Sequence, residues 1–178
     1  MKTKDQIQKE ALLQVLPLTK ASLGMSMGSG KTKIGLEYAE HHCYGFPVRV
    51  LVAAPKRSIF KSWQEDALKF GMEQLLPHFT FTTYLSLNKH NPDDYNILIL
   101  DECHSLLDSH KIFLDKFKGL VLGLTGTKPR YSSSEKGVMV STYCPVIHEY
   151  TTDEAVDDQI LNDYRIVVHM LDLSARDT

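Results

Sequence analysis

The sequence predicts an α/β fold whose central sheet is mostly parallel and is flanked by helices. Short continuous apolar runs, which are typical of parallel strands buried on both faces, recur at Val48–Pro55 and Asn96–Leu100. Segments whose apolar residues have helical spacing, such as Lys31–Tyr44 and Ser58–Phe70, lie between such runs. Strands and helices that alternate through short connections are typical of a parallel sheet.

The individual elements follow from the same patterns. Apolar residues at helical spacing predict helices at 4–16, 31–44, 58–70 and 110–117. Apolar or alternating runs predict strands at 21–25, 48–55, 79–84, 96–100 and 119–127, the last of which ends in a loop. Beyond Pro129 the pattern loosens. We expect a polar loop or helix start there, then a short helix at 153–161 and a strand at 164–173.

Composition limits the classes of protein to which the chain can belong. No apolar run approaches the roughly 20 residues of a membrane span, so we expect no membrane association. The first residues lack the apolar centre of a signal peptide. Three widely spaced cysteines without metal-ligand spacing predict free thiols and a cytoplasmic location. The formal net charge of −2 differs from the strongly basic balance of most standalone nucleic-acid binders.

The segment Gly28-Ser29-Gly30-Lys31-Thr32 resembles a phosphate-binding loop at a strand–helix junction. Glycines allow positive φ angles and close wrapping of the backbone around phosphate oxygens. Lys31 would reach the β- and γ-phosphates, and the Thr32 hydroxyl would bind Mg²⁺. The general pattern G-x-x-x-x-G-K-S/T has another glycine where this chain has Met25. The alternative is a solvated glycine-rich turn that caps a helix.

A pair of carboxylates, Asp101 and Glu102, follows the apolar run Asn96–Leu100. This placement predicts that both lie at the carboxyl edge of the sheet, where open α/β folds bind ligands. Asp101 would hold Mg²⁺ through water, because that ion keeps part of its hydration shell. Glu102 would orient and deprotonate an attacking water, which favours an NTP hydrolase over a kinase. Taken alone, the pair could equally be solvated surface charge.

These residues are similar to those of superfamily 2 helicases and translocases, the DEAD/DEAH-box and Snf2-like group. Gly28–Thr32 resembles motif I, whose first position is commonly not glycine in that group, and Asp101-Glu102-Cys103-His104 resembles motif II. Val52–Phe70 resembles motif Ia with its helix, the segment around Thr82–Tyr84 resembles motif Ib, and Gly123–Arg130 resembles motif III. Ile7–Ala11 resembles the Q-motif region. The resemblance extends from about Gln8 to Arg130.

The resemblance implies a RecA-like P-loop NTPase domain that uses ATP and Mg²⁺ to move on nucleic acid. It implies the following roles: nucleotide contacts from Gln8, Gly28, Ser29, Gly30, Lys31 and Thr32; metal contacts from Thr32 and Asp101; catalysis by Lys31, Asp101 and Glu102; coupling through His104, Thr125 and Thr127; and nucleic-acid contacts from Pro55, Lys56, Arg57 and Thr83. Gln8 would read adenine. Ser62–Glu65 has a Snf2-like character that favours DNA over RNA.

The family's later motifs, IV to VI, have no counterpart in the sequence. We therefore expect residues 1–150 to form the ATP-binding domain and residues 151–178 to connect it to a second RecA-like domain in the same protein. An arginine from such a domain can raise the hydrolysis rate by about 10³- to 10⁵-fold, so we expect low activity from this chain alone. Two alternatives are a standalone P-loop ATPase or nucleotide switch that acts on a protein partner, and a binding platform that only keeps the fold.

Overall fold

Six parallel strands form one central sheet in the computed structural model of the chain, which describes residues 1–43, 48–127 and 132–162. The strands are β1 (Lys20–Met25), β2 (Val50–Ala54), β3 (Phe79–Thr83), β4 (Ile97–Asp101), β5 (Leu120–Thr125) and β6 (Val146–Tyr150). Their order across the sheet is β3-β2-β4-β5-β1-β6, and every neighbouring pair runs parallel. The predicted α/β class and RecA-like architecture are confirmed.

Helices connect the strands. They are α1 (Lys4–Val15), α2 (Lys31–His42), α3 (Ser58–Lys69), α4 (Lys111–Leu114), α5 (Glu135–Tyr143) and α6 (Thr152–Asp157). Five short 3₁₀ helices lie between them, at Glu73–His78, Tyr84–Lys89, Pro92–Asp94, Cys103–Ser105 and Asp108–His110. None of these described helices is both long and apolar enough to span a membrane.

Both faces of the sheet are covered, which explains the continuous apolar runs in its strands. Val50 and Val52 of β2 face a cluster that α1, α2, α3 and α6 complete. Leu51 and Ala53, the alternate residues of the same strand, face a second cluster formed with α4, α5 and the 3₁₀ helices at Tyr84–Lys89 and Cys103–Ser105. Successive side chains of a strand point to opposite faces, so a strand covered on both sides must be apolar at every position.

The strand order brings three loops together at the carboxyl edge of the sheet. β5 lies between β1 and β4, with Thr125 paired to Gly24 on one side and Leu124 paired to Asp101 on the other. The segments that follow β1, β4 and β5 therefore surround one region. This region contains the glycine-rich loop, the carboxylate pair and the segment that resembles motif III.

The structure differs from the predicted elements mainly in its last third. The helix expected at 110–117 is shorter in the structure. A separate 3₁₀ turn at Asp108–His110 comes first, and α4 then spans Lys111–Leu114. α5 begins within the segment expected to be a polar loop or helix start, and β6 was not predicted. β6 lies at the edge of the sheet with Tyr150 as its one buried residue, so it lacks the apolar run of the inner strands. The strand expected at 164–173 and the end of the helix expected at 31–44 lie outside the described residues.

The described part of the expected connector packs on the same core. Ala155 of α6 is buried in the cluster formed by α1 and α2. The Tyr150 hydroxyl lies 3.2 Å from Asp158 Oδ2, and the Lys2 backbone N–H donates to Asp158 Oδ1 at 2.7 Å. The division between residues 1–150 and 151–178 stays a prediction.

Candidate nucleotide site

The loop between β1 and α2 has a backbone that only glycine adopts easily at two positions. Gly28 and Gly30 have φ angles of 78° and 89°, in the left-handed region. A Cβ atom at Gly30 would also lie 2.2 Å from Gln8 Nε2, so this position has no room for a side chain. The loop leads directly into α2, whose first amide groups and positive dipole end form an anion-binding surface.

Gln8 anchors the loop to α1. Its buried side chain donates through Nε2 to the Ser29 carbonyl at 2.8 Å. Its Oε1 accepts a hydrogen bond from Lys33 Nζ at 3.0 Å, and the same ammonium contacts Asp5 Oδ1 at 3.0 Å. The residue expected to read adenine is thus bound to the peptide backbone of the phosphate loop. Its contact with adenine stays a prediction.

Lys31 folds back onto the loop that precedes it. Its Nζ donates to the carbonyls of Met25 at 3.0 Å and Ser26 at 3.2 Å. Burial lowers the pKa of Lys31, while the nearby carboxylates of Glu102 and Asp101 act in the opposite direction. A half-buried ammonium held mainly by neutral carbonyls is well placed to accept a more strongly charged partner such as a phosphate oxygen.

Asp101 ends β4 and is buried, with 7% of its surface exposed. Burial raises the pKa of its carboxyl, and a hydrogen bond from Trp63 opposes that shift. Trp63 Nε1 donates to Asp101 Oδ2 at 2.8 Å. The Tyr84 hydroxyl donates to the backbone carbonyl of Asp101, also at 2.8 Å. The residue expected to hold Mg²⁺ is therefore fixed at both its carboxylate and its backbone.

Sequence reasoning did not find this role for Trp63. The residue is the single tryptophan of the chain and lies on the apolar side of α3, where packing explains it fully. The available signal was chemical, since a buried indole N–H usually has a hydrogen-bond partner. Nothing in the sequence identifies that partner, which lies 38 positions away.

Glu102 adopts a left-handed backbone conformation with φ of 52°, which is rare for residues other than glycine. Such backbone strain occurs preferentially at functional sites. Its Oε2 lies 3.4 Å from His104 Nδ1 and 3.5 Å from the Gly126 backbone nitrogen. A Cβ atom at Gly126 would in turn lie 3.4 Å from Lys31 Nζ. The loops that follow β1, β4 and β5 therefore lie close together, with Gly126 between the Lys31 ammonium and the Glu102 carboxylate.

His104 and Thr125 join the loops that follow β4 and β5. His104 Nδ1 lies 2.8 Å from Thr125 Oγ1. The Thr125 hydroxyl donates to the Thr127 carbonyl at 2.7 Å and accepts from the Thr127 amide at 3.0 Å. When the single hydrogen of the hydroxyl goes to the Thr127 carbonyl, the His104 tautomer with its proton on Nδ1 completes the network as the donor to Thr125. The three residues expected to couple motifs II and III thus form one hydrogen-bonded chain.

The residues expected to contact nucleic acid lie together at the same edge of the sheet, on the far side of β4 from the phosphate loop. Thr83 ends β3 and pairs with Ala54, the last residue of β2. Pro55, Lys56 and Arg57 follow Ala54 directly, and both basic side chains are exposed. The structure therefore brings these four residues into one neighbourhood, while their contact with nucleic acid stays a prediction.

The donors present fit a magnesium–nucleotide complex. Thr32 is the second residue of α2, which follows β1. Asp101 ends β4, which is separated from β1 in the sheet by β5 alone. Their oxygens are the ligand type that Mg²⁺ takes, usually one or two protein groups together with phosphates and waters. Lys31 and the loop amides supply the positive surface for those phosphates.

Comparison with known proteins agrees with this geometry. Residues 2–130, which include both halves of the site, match the family described as the type III restriction enzyme, res subunit. The chain belongs to this res-subunit family. No curated protein matches the sequence.

Solved structures similar to this chain include a helicase, a restriction-modification enzyme and a SWI2/SNF2 ATPase core. The UvsW helicase of bacteriophage T4 has a TM-score of 0.69 at 13% identity, over 79% of this chain and 58% of its own. The type ISP restriction-modification enzyme LlaGI, solved with a DNA substrate mimic, has a TM-score of 0.65 at 16% identity, over 90% of this chain and 20% of its own. The SWI2/SNF2 ATPase core of Sulfolobus solfataricus, solved with double-stranded DNA, has a TM-score of 0.55 at 16% identity, over 79% of this chain and 34% of its own.

Together, the family and these neighbours indicate the RecA-like domain of a superfamily 2 helicase, which confirms the resemblance seen in the sequence. The res-subunit chain spans at most 58% of the three neighbouring chains.

The hydrogen bonds of Thr125 predict the effect of removing its hydroxyl. Thr125→Val keeps the side-chain shape but leaves His104 Nδ1 and the Thr127 amide without their acceptor. We expect the free energy of unfolding to fall by about 1–3 kcal/mol, measured by urea denaturation. Thr82→Val is the matched control, because that buried hydroxyl makes one bond, of 3.3 Å, and its loss should cost under about 1 kcal/mol. Equal effects of the two changes would contradict the network.

Proposed function

We propose that this domain binds ATP with Mg²⁺ and hydrolyses it to drive movement on nucleic acid, with DNA as the track. One observation above all supports the proposal: Glu102 Oε2 lies 3.5 Å from the Gly126 backbone nitrogen, and a Cβ atom added at Gly126 would lie 3.4 Å from Lys31 Nζ. A cation for phosphates and a carboxylate for water therefore lie on opposite sides of one narrow space. An acid–base pair in this arrangement suits the hydrolysis of a phosphoanhydride.

Each residue would have a definite task. Lys31 would exchange its bonds to the Met25 and Ser26 carbonyls for bonds to phosphate oxygens. Thr32 and Asp101 would hold Mg²⁺, which when bound neutralises charge that develops on the phosphates. Glu102 would orient the attacking water and accept its proton, a role that suits a carboxylate in hydrogen-bonding reach of the reacting water.

The series of contacts from Glu102 through His104 and Thr125 to Thr127 would respond to whether the γ-phosphate is present. His104 lies within reach of both the Glu102 carboxylate and Thr125, which fixes the backbone of Thr127. Movement of Glu102 when the γ-phosphate leaves would therefore be transmitted to the loop after β5. A second RecA-like domain in the same protein would complete the site with an arginine, so slow hydrolysis is expected without it.

The proposed track lies along the carboxyl ends of β2 and β3. Lys56 and Arg57 would contact phosphates, and Pro55 and Thr83 would border the same surface. Such contacts supply affinity without reading sequence. DNA is favoured because two structural neighbours, LlaGI and the SWI2/SNF2 core, were solved with DNA.

The net charge of −2 favours a second candidate, a nucleotide switch that acts on a protein partner. The two candidates differ in whether they need to bind nucleic acid. A motor requires nucleic acid to bind at the β2–β3 edge, and a switch does not.

The phosphate loop can be tested with Lys31→Ala. Loss of the ammonium removes a charge-assisted contact with the phosphates, so ATP binding should weaken by at least roughly a hundredfold. Titration of a fluorescent ATP analogue measures the affinity. Lys61→Ala is the control, since that side chain is 80% exposed on α3 and pairs with Glu65. Unchanged affinity after Lys31→Ala would refute the assignment of the loop.

The track can be tested with the double change Lys56→Ala and Arg57→Ala. Each lost phosphate contact should lower the slope of log affinity against log salt by about one, so we expect a reduction of about two for DNA. Fluorescence anisotropy at low salt, with single- and double-stranded DNA and with RNA, gives these slopes. Lys118→Ala is the control, because that exposed lysine borders Thr19 and Asn96 at the opposite edge of the sheet. An equal loss from the control, or no nucleic-acid binding at all, would favour the switch.

A further inference from the structure

We propose that Trp63 is a positioning residue for Asp101, and that its indole N–H holds the carboxylate in the orientation that Mg²⁺ requires. This inference rests on the proposed function of Asp101 as the metal-binding carboxylate. Trp63 Nε1 donates to Asp101 Oδ2 at 2.8 Å, and both side chains are buried. Partners that orient a metal-binding side chain commonly affect metal affinity nearly as much as the ligands themselves.

Packing prevents the indole of Trp63 from turning away. A Cβ atom at Gly35 of α2 would lie 2.5 Å from the far edge of the ring, so the ring fits directly against that helix. On another side, the ring centroid lies 6.2 Å from that of Phe79, at the start of β3. Trp63 itself has no exposed surface. An indole confined in this way presents its N–H in one fixed direction.

This position links the two halves of the proposed site. α2 begins with Lys31 and Thr32, and the same helix contains Gly35, against which Trp63 packs. Trp63 therefore fixes the carboxylate of β4 relative to the helix that supplies the phosphate cation and the metal-binding hydroxyl. A phenylalanine could fill part of this space, but it could not fix the carboxylate.

The hydrogen bond also stabilises the charged form of Asp101. A buried carboxylate without donors is costly, and an indole N–H donates but cannot accept. Tyr84 donates to the backbone carbonyl of Asp101 and not to its carboxylate. Trp63 is the side-chain donor to this carboxylate, and its hydrogen bond lowers the pKa of Asp101 more than the backbone hydrogen bond from the neighbouring Glu102 does.

The test uses the fact that the chain contains one tryptophan. Biosynthetic replacement by benzothienylalanine exchanges the indole N–H for sulfur at Trp63 alone and nearly preserves ring shape. The binding of a fluorescent ATP analogue is then titrated with Mg²⁺. The Mg²⁺ concentration at which the change in binding is half-maximal should rise about tenfold in the replaced chain. Binding without Mg²⁺ should stay unchanged, because the loop and Lys31 are intact. Tyr143→Phe is the control, since it removes a tyrosine hydroxyl that donates to Asp115 away from the site, and it should leave the Mg²⁺ dependence unchanged.

The outcomes separate this inference from the proposed function. If the unmodified chain binds the analogue in a Mg²⁺-dependent way and the replacement leaves that dependence unchanged, the positioning role is wrong and the ATP site stands. If the unmodified chain binds no nucleotide, the proposed function is wrong as well. Circular dichroism checks that the replaced chain folds. If it does not fold, Trp63 emission from the unmodified chain decides: it should change when Mg²⁺ is added to the nucleotide complex, and a constant spectrum would overturn the inference.

Discussion

The withdrawal of opposite charges from water at one edge of the sheet, with Asp101 buried and Lys31 half-buried, is the constraint on which the candidate site depends. Removing an ion from water costs several kcal/mol unless partners replace the lost hydration. Lys31 finds those partners in two backbone carbonyls, and Asp101 finds its partner in Trp63. Each charge is therefore held in place by its own partners. The result is a polar region whose groups are already oriented, and preorganised groups of this kind stabilise charge that develops on a phosphate.

The topology explains why these groups meet although they are distant in sequence. β5 separates β1 from β4, so the loop after β5 lies between the phosphate loop and the carboxylate pair. Gly126 occupies this intermediate position, close to both Lys31 and Glu102. The hydrogen bonds of His104 and Thr125 then connect the pair to that loop. A change at the nucleotide would thus reach a backbone segment through bonded groups, without movement of the sheet.

Sequence reasoning found the features that are encoded locally. Gly28–Thr32 and Asp101-Glu102 are contiguous in the sequence. The inner strands β2 and β4 have continuous apolar runs because both faces of the sheet are covered, so these patterns can be recognised from the sequence alone. Contacts between distant segments were harder to predict. The bond from Trp63 to Asp101 and the bond from Gln8 to the Ser29 carbonyl depend on how α3 and α1 pack. β6 was missed because an edge strand with one buried residue lacks the apolar run that identified the others.

The proposed hydrolysis requires Glu102 to activate water beside a bound ATP. Single-turnover hydrolysis of radiolabelled ATP by the chain and by its Glu102→Gln variant tests this most directly, because it detects slow chemistry and separates it from binding. We expect the two proteins to bind Mg²⁺–ATP with similar affinity and the variant to hydrolyse it at least about a hundredfold more slowly, the usual contribution of a general base. Equal rates at equal occupancy would contradict the claim.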